Sequence, residues 1–243
     1  MKDQLQDITD QTRGLGAESL LAYVAKRFGG RVALGSSFGA EDQVLADMLA
    51  RVAPGVRIFT LDTGRLPQET YDLIDATRKR YGVKVEVLFP DRADVEALVG
   101  RGGVNLFYGS VENRKACCHV RKVIPLRRKL ATLDVWITGL RREQSITRQE
   151  IAAVEWDEAH GLVKVNPLTD WSAQKVWDYI RSHDVPYSAL HDRGYPSIGC
   201  APCTRPVAAG EDPRAGRWWW EEPHHKECGL HVVDGRLVRK DVK

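Results

Sequence analysis

Apolar side chains recur at helical spacing from about Leu5 to Phe28, with Leu15, Leu20, Leu21, Val24 and Phe28 as one face, and Gly29-Gly30 ends the run. A short apolar stretch, Arg31 to Gly35, then passes through Ser36-Ser37-Phe38-Gly39 into a helical pattern from Ala40 to Leu49, which predicts strand, small-residue turn and helix. The unit repeats. Val56–Leu61 predicts a second strand, and Pro67 suits the first turn of a helix running to about Tyr81. Val83–Phe89 predicts a third strand, followed by a helix from about Ala93 to Val99. The glycines between Arg101 and Ser110 predict a loop, and Glu112 to Leu130 predicts a helix that Pro125 should kink or break. Leu133–Thr138 reads as a further strand. Weak alternation from Ala152 to Val165, turning at Asp157–Gly161, reads as a hairpin at a sheet edge. Trp171–Arg181 predicts a helix with Val176, Trp177 and Ile180 among its apolar positions, and beyond Asp184 regular patterning is lost.

Strands alternating with helices imply an α/β fold, with a mainly parallel sheet covered by helices on both faces, plus an irregular C-terminal segment. No repeat, low-complexity tract or linker divides the chain. One structural domain is expected, with an α/β part over 1–196 that includes the Cys117-Cys118 helix, and a C-terminal segment over 197–243. At 243 residues, 43% apolar and 28% charged, the composition is that of an ordinary globular protein. The net charge of +3 is too small to argue for a nucleic-acid or membrane surface. The acidic start lacks the pattern of a signal peptide, and no apolar stretch is long enough to span a bilayer. A cytoplasmic location is therefore expected, where clustered cysteines more often bind metal or do chemistry than form disulfides.

Three loops leave predicted strand ends, where open α/β sheets bind ligands. Gly35-Ser36-Ser37-Phe38-Gly39-Ala40 could present backbone N–H groups and two hydroxyls to a phosphate. Equally, it could be an ordinary turn in which a serine caps the helix and Glu41 and Asp42 satisfy its dipole. It matches neither the Walker nor the GxGxxG pattern. Asp62-Thr63-Gly64-Arg65 and Gly139-Leu140-Arg141-Arg142 add guanidinium groups suited to phosphate or sulfate. Three such loops on one parallel sheet favour a nucleotide pocket over three solvated loops.

The five cysteines form two pairs and a remainder. Cys200 and Cys203 are a C-x-x-C in a Gly/Pro turn. Cys117 and Cys118 are adjacent, and successive helical side chains point about 100° apart, so both reach one small site only off the helix or through a distorted one. Four thiolates suit a [4Fe–4S] cluster or an all-thiolate zinc site, and unligated buried thiols are the plain alternative. Cys228 has Lys226 and His231 nearby, and cations raise a thiolate fraction. His224 and His225 read as ordinary surface histidines. Trp218-Trp219-Trp220 is expected to dock the tail by packing.

Cys117-Cys118 followed by Arg121-Lys122-Val123, the Gly199-Cys200-Ala201-Pro202-Cys203-Thr204 turn and Glu227-Cys228-Gly229-Leu230-His231 together resemble the assimilatory adenylyl-sulfate (APS) reductases, cluster-bearing relatives of the PAPS reductases. Ser37–Asp42, Leu61–Arg65 and Thr138–Ser145 look like that family's nucleotide-binding loops, and the resemblance spans about Val32 to His231. It implies an adenine-nucleotide α-hydrolase-like fold and a [4Fe–4S] cluster on Cys117, Cys118, Cys200 and Cys203. The implied activity is thioredoxin-dependent reduction of APS to sulfite and AMP in assimilatory sulfate reduction, through an S-sulfocysteine on Cys228. Lys122 would lie between cluster and substrate, and Arg214 and Arg217 would meet the phosphosulfate. Ser36, Ser37, Phe38, Asp62, Thr63, Arg65, Gly139, Arg141, Arg142 and Arg148 would complete the substrate site. Thioredoxin would be a transient partner, nucleic acid and membrane would have no part, and a homo-oligomer is left open.

Two relatives compete with this reading. A PAPS or dual APS/PAPS reductase shares fold and reaction, but that group usually lacks the double cysteine and the C-x-x-C. ATP pyrophosphatase-type enzymes such as tRNA-thiolating proteins carry a Ser-Gly-Gly-x-Asp-Ser loop that this chain does not have. A zinc-stabilised binding module would explain four cysteines but neither Cys228 nor the three loops.

Overall fold

In the computed structural model the described residues are 2–144 and 150–222. Arg148, His224, His225, Lys226, Cys228 and His231 lie outside them. Two N-terminal helices, α1 (Leu5–Thr12) and α2 (Ala17–Phe28), replace the single helix expected over Leu5–Phe28. The break falls at Gly14-Leu15-Gly16, where Gly14 takes φ +75° and Leu15 is 40% exposed instead of joining the buried face. There follow β1 (Val32–Gly35), α3 (Ala40–Val52), β2 (Arg57–Leu61), α4 (Gln68–Tyr81), β3 (Val85–Leu88) and α5 (Arg92–Gly102). The expected loop from Arg101 to Ser110 includes the end of α5 and a 3-10 turn at Leu106–Tyr108. Next come α6 (Val111–Cys118), a π-helical turn at His119–Val123, α7 (Ile124–Leu130), β4 (Val135–Ile137), the hairpin strands β5 (Val154–Asp157) and β6 (Leu162–Val165), and α8 (Ala173–Ser182). Beyond α8 the described chain has only short 3-10 turns and one bridge, Thr204 to Arg217.

The sheet order is β3-β2-β1-β4-β6-β5, parallel throughout except for β5 against β6, so the hairpin does form one edge. Strand side chains alternate between faces. Val32, Leu34, Ile58, Val135, Ile137, Val163 and Val165 pack into a large core with α1, α2, α3, α4 and α8. Ala33, Phe59, Trp136 and Leu162 point the other way, onto Leu126 and Leu130 of α7. Covering both faces explains why β1 reads as an unbroken apolar run instead of alternating. From β1 the chain builds β2 and β3 to one side and then β4 to the other, so the strand order reverses at β1/β4. The loops after β1, β2 and β4 therefore emerge together at the switch point where open sheets hold ligands. Among the described residues no helix is long and apolar enough to cross a membrane.

Candidate active site

A cavity of about 1040 Å³ opens above the carboxyl ends of these strands. The loop after β1 gives it Ser36 and Ser37, the loop after β2 gives Thr63, and the loop after β4 gives Thr138, Gly139, Arg141 and Arg142. Lys122 comes from the π turn, and Cys200, Arg214, Arg217 and Trp218 come from the C-terminal segment. Of the other expected substrate residues, Phe38, Asp62 and Arg65 do not line it. Phe38 is buried in the core, with φ +61°. Buried Asp62 accepts from Gly64 N (2.7 Å) and the Tyr71 hydroxyl (3.0 Å), which shapes the loop.

The first loop has a partner within the chain. Asp42 Oδ2 accepts from Ser37 N (2.6 Å) and Ser37 Oγ (2.8 Å), so this carboxylate already fills an anion position at the N-terminus of α3. Ser36 Oγ accepts from Phe38 N at 3.1 Å, and the helix cap is Gly39, not a serine. Burial pushes the Asp42 pKa up to about 6, against the lowering effect of its bonds from Ser37. Gly139 allows this close approach: a methyl group there would stand 2.5 Å from Asp42 Oδ1. Arg141 is buried and committed, with Nε donating to Glu41 Oε1 at 2.8 Å and Nη1 to the Trp171 carbonyl at 3.1 Å. Arg142 pairs with Asp170 and bonds the Ile151 carbonyl at 3.0 Å. These loops thus hold one another by ion pairs as well as presenting groups to the cavity.

The four described cysteines come together. Cys117 and Cys118 from α6, and Cys200 and Cys203 from the C-x-x-C turn, are all buried in one cluster with Leu98, Phe107 and Trp218. A second, smaller cavity is lined by all four thiols with Arg65, Phe107, Arg114, Arg121, Lys122 and Trp218. Arg65 therefore belongs to the cysteine site, where it lies over the Phe107 ring at 5.0 Å and bonds the Val104 carbonyl. The two cavities share Lys122, Cys200 and Trp218 as a common wall.

Local structure explains how adjacent cysteines serve one site. Ser110 caps α6 by accepting from Asn113 N at 3.1 Å. The helix widens into the π turn directly after Cys118, and Pro125 sits in the first turn of α7. A proline ring clashes with the carbonyl four residues back, here Arg121, and the wider turn accommodates it. The disturbance expected at Pro125 is thus displaced to His119–Val123. Arg114, Cys117, Cys118 and Arg121 fall at i, i+3, i+4 and i+7, one helical face, all buried. That stripe is the signal by which Arg114 and Arg121 could have been singled out from sequence. Arg121 Nη1 donates to the Thr63 carbonyl (2.7 Å), while its Nε is buried with no hydrogen-bond partner among the described residues. Thr63 Oγ1 lies 3.2 Å from Cys200 Sγ, and Ala201 N donates to the Arg65 carbonyl (2.8 Å), stitching the C-x-x-C turn to the loop after β2.

Charge distinguishes the thiols. Burial opposes ionisation of Cys200, but Lys122, the Thr63 hydroxyl, Arg217 and Arg121 outweigh it, and its pKa is lowered. Cys203 is pushed up to about 12, by burial first and then by Cys200. Burial also raises Cys117, against the pull of Arg121. Among the described residues no three His, Cys, Asp or Glu side chains are arranged to hold a single metal ion. The four thiols instead surround a space.

Trp218 is 1% exposed, and both the Arg114 and Arg217 guanidinium groups lie over its ring, at 4.8 and 4.7 Å. Trp220 packs with Phe107 and Tyr108, whereas Trp219 is 49% exposed. Packing thus accounts for the first and third tryptophans.

Residues 31–206 match the phosphoadenosine phosphosulfate reductase domain. The adenosine 5'-phosphosulfate reductase of Allochromatium vinosum is 53% identical over 220 residues, which is 90% of this chain and 86% of that one. The enzyme of that name from Agrobacterium fabrum is 46% identical over 220 residues, 90% and 84% of the two chains. Among solved structures, the phosphoadenylyl-sulfate reductase of Candida auris in its phosphate complex superposes with a TM-score of 0.72 at 25% identity, covering 84% of this chain and 98% of that one. The FMN adenylyltransferase of Candida glabrata, at TM-score 0.55 and 14% identity over 96% and 78% of the chains, shares the fold. With relatives this similar along nearly its whole length, the chain belongs to the phosphoadenosine phosphosulfate reductase domain family and, within it, to the adenosine 5'-phosphosulfate reductases.

Proposed function

We propose that this protein is an oxidoreductase of sulfate assimilation that reduces adenosine 5'-phosphosulfate to sulfite and AMP, with Cys228 as nucleophile and a thioredoxin-type dithiol as reductant. The observation that carries the reading is the shared wall. Lys122, Cys200 and Trp218 separate a nucleotide-sized cavity from a four-thiol site, so cationic groups of one border the other.

The Cys228 thiolate attacks the sulfur of the phosphosulfate. The S–O bond to the AMP phosphate breaks, AMP leaves with that electron pair, and Cys228 becomes an S-sulfocysteine. A thiolate of the reductant then attacks Cys228 Sγ, sulfite departs with the S–S electron pair, and the second reductant thiol resolves the mixed disulfide. The two electrons come from the dithiol. Arg214, Arg217 and Lys122 neutralise an anion that would otherwise repel the attacking thiolate.

Cys117, Cys118, Cys200 and Cys203 would hold a [4Fe–4S] cluster. Four buried thiols around a cavity, ringed by Arg65, Arg114, Arg121 and Lys122, suit a polynuclear group with separate metal corners better than one tetrahedral ion. The partnerless Arg121 Nε in that wall is a donor for it. When bound, the cluster would supply fixed charge beside the sulfate end without changing oxidation state.

Intact-protein mass after anaerobic incubation with APS or PAPS, without thioredoxin, tests the reading. The expected result is a gain of one sulfonate with APS, mapped to Cys228. No gain from protein that retains iron and acid-labile sulfide refutes the covalent route, and an equal gain with PAPS makes the enzyme dual. A colourless protein with stoichiometric zinc refutes the cluster.

A further inference from the structure

The last described turn of the chain is tied to the cysteine helix by an ion pair whose arginine also borders the four-thiol cavity. Arg114 Nε donates to Glu221 Oε1 at 2.8 Å and Arg114 Nη2 to Glu221 Oε2 at 2.7 Å, with the two side chains 1% and 2% exposed. Arg114 also hydrogen-bonds Cys118, and its guanidinium lies over the Trp218 ring. Arg217 lies over that same ring. Trp218 N donates to the Cys203 carbonyl at 3.1 Å and Glu221 N to the Trp218 carbonyl at 2.8 Å, so the turn is held by the C-x-x-C segment and by α6 together. Trp218 takes φ +41°, a conformation that a bulky side chain adopts only when its surroundings impose it.

A fully desolvated ion pair is a poor device for stability, since well-packed apolar residues commonly replace one without loss. What a bidentate fork supplies is orientation: two parallel bonds fix the carboxylate plane, and with it the backbone at Glu221. Cys228 follows seven residues later. We propose that Arg114 and Glu221 are positioning residues, a clamp that fixes the backbone at Glu221, seven residues before Cys228, relative to Arg217. Trp218 transmits the register, because the clamp arginine and the substrate-facing arginine rest on one indole. This inference depends on the assignment of Cys228 as nucleophile.

The test compares the full-length wild-type protein with Arg114→Met/Glu221→Leu, which removes both charges while keeping the site filled, and with Glu221→Gln, which keeps the shape. The expected result is a Cys228 sulfonation rate at saturating APS at least tenfold slower in the double variant and intermediate in Glu221→Gln, with AMP affinity within threefold of wild type. A double variant that sulfonates at the wild-type rate overturns the clamp. So does parallel loss of AMP affinity and sulfonation with early melting, which marks a merely structural pair. Alkylation of Cys228 by iodoacetamide with and without AMP gives a readout independent of catalysis. The AMP response of wild type should be reduced in both variants, and equal responses overturn the clamp. If APS fails to sulfonate even the wild-type protein, the assigned reaction falls and the alkylation comparison alone decides the clamp.

Discussion

Gly199→Ala adds one methyl group at the point where the C-x-x-C turn meets Arg217, the arginine proposed to face the substrate anion. Its Cβ would stand 2.2 Å from Arg217 Nη2 and 2.5 Å from Arg217 Cζ. Ordinary contact requires about 3.4 Å or more, so the guanidinium must move by more than an ångström. It is not free to do so cheaply. Arg217 is buried, donates to the Ile198 carbonyl at 3.2 Å and lies over the Trp218 ring at 4.7 Å. Losing a hydrogen bond from a charged donor costs about 1.5–3 kcal/mol and losing the cation–π contact about 0.5–2 kcal/mol. Those costs fall on stability; affinity falls by the charge-assisted bond that the displaced guanidinium no longer offers a bound anion, about 1.5–3 kcal/mol, or about 10- to 150-fold for a ligand that Arg217 binds. Calorimetry should show APS and AMP binding weakened by this factor and adenosine binding unchanged. Unaltered APS affinity would refute the placement of Arg217 on the anion. Equal weakening of adenosine would mean that the turn has collapsed and that Arg217 has no selective role.

Two further substitutions probe the cavity from other sides. Lys122→Met keeps side-chain length in the shared wall and removes the charge; APS affinity should fall about tenfold or more, at about 1.4 kcal/mol per decade, with adenosine unaffected, and an equal fall for both ligands would count against contact with the anion. Asp42 has a pKa of about 6 in the folded protein against an ordinary 3.8, so between those values the native state binds a proton that the unfolded chain has released. Its contribution to stability is complete below about pH 4 and is lost as pH rises through about 6, a change of about 3 kcal/mol. Urea unfolding of Asp42→Asn should lack this decline, and curves parallel to wild type across that range would refute it.

Apolar runs announced β1 to β4 and weak alternation the edge hairpin, but the pairing of the strands was not legible. β1 and β2 neighbour each other as expected of consecutive strands, whereas the placement of β4 beside β1 depends on packing between residues distant in sequence. The N-terminal helix was over-read because Leu15 was counted with the apolar face, although at about 100° per residue it stands about 140° from Leu20 and about 180° from Val24. The glycines on either side of it carried the contrary signal, since each adds conformational freedom where a helix must hold φ fixed. At the first loop both readings of the sequence survive in part. Asp42 does satisfy the helix start, through Ser37 N, yet the loop also walls the cavity. Distance along the chain hid the rest. Nothing local tells that Glu221 meets Arg114 or that Thr63 meets Cys200, and such contacts exist only once the sheet has brought its loops together.

The cysteine pair shows how a local rule yields without being broken. Adjacent helical residues cannot converge on a point, and here they are not asked to: Cys117 and Cys118 form part of a wall, with Cys200 and Cys203 as the opposite part. The helix then widens where Pro125 would otherwise clash, and in that turn lie two of the four cations that border the thiols, Arg121 and Lys122. One distortion therefore serves the proline and the placement of charge together. Cys200, beside Lys122, Arg217 and Arg121, is eased towards its thiolate, while Cys203 is held towards its neutral form by burial and by Cys200. As neutral thiols the four can share that space without repulsion; as the four thiolates that the proposed cluster requires, they would need positive charge between the sulfurs beyond what these cations supply.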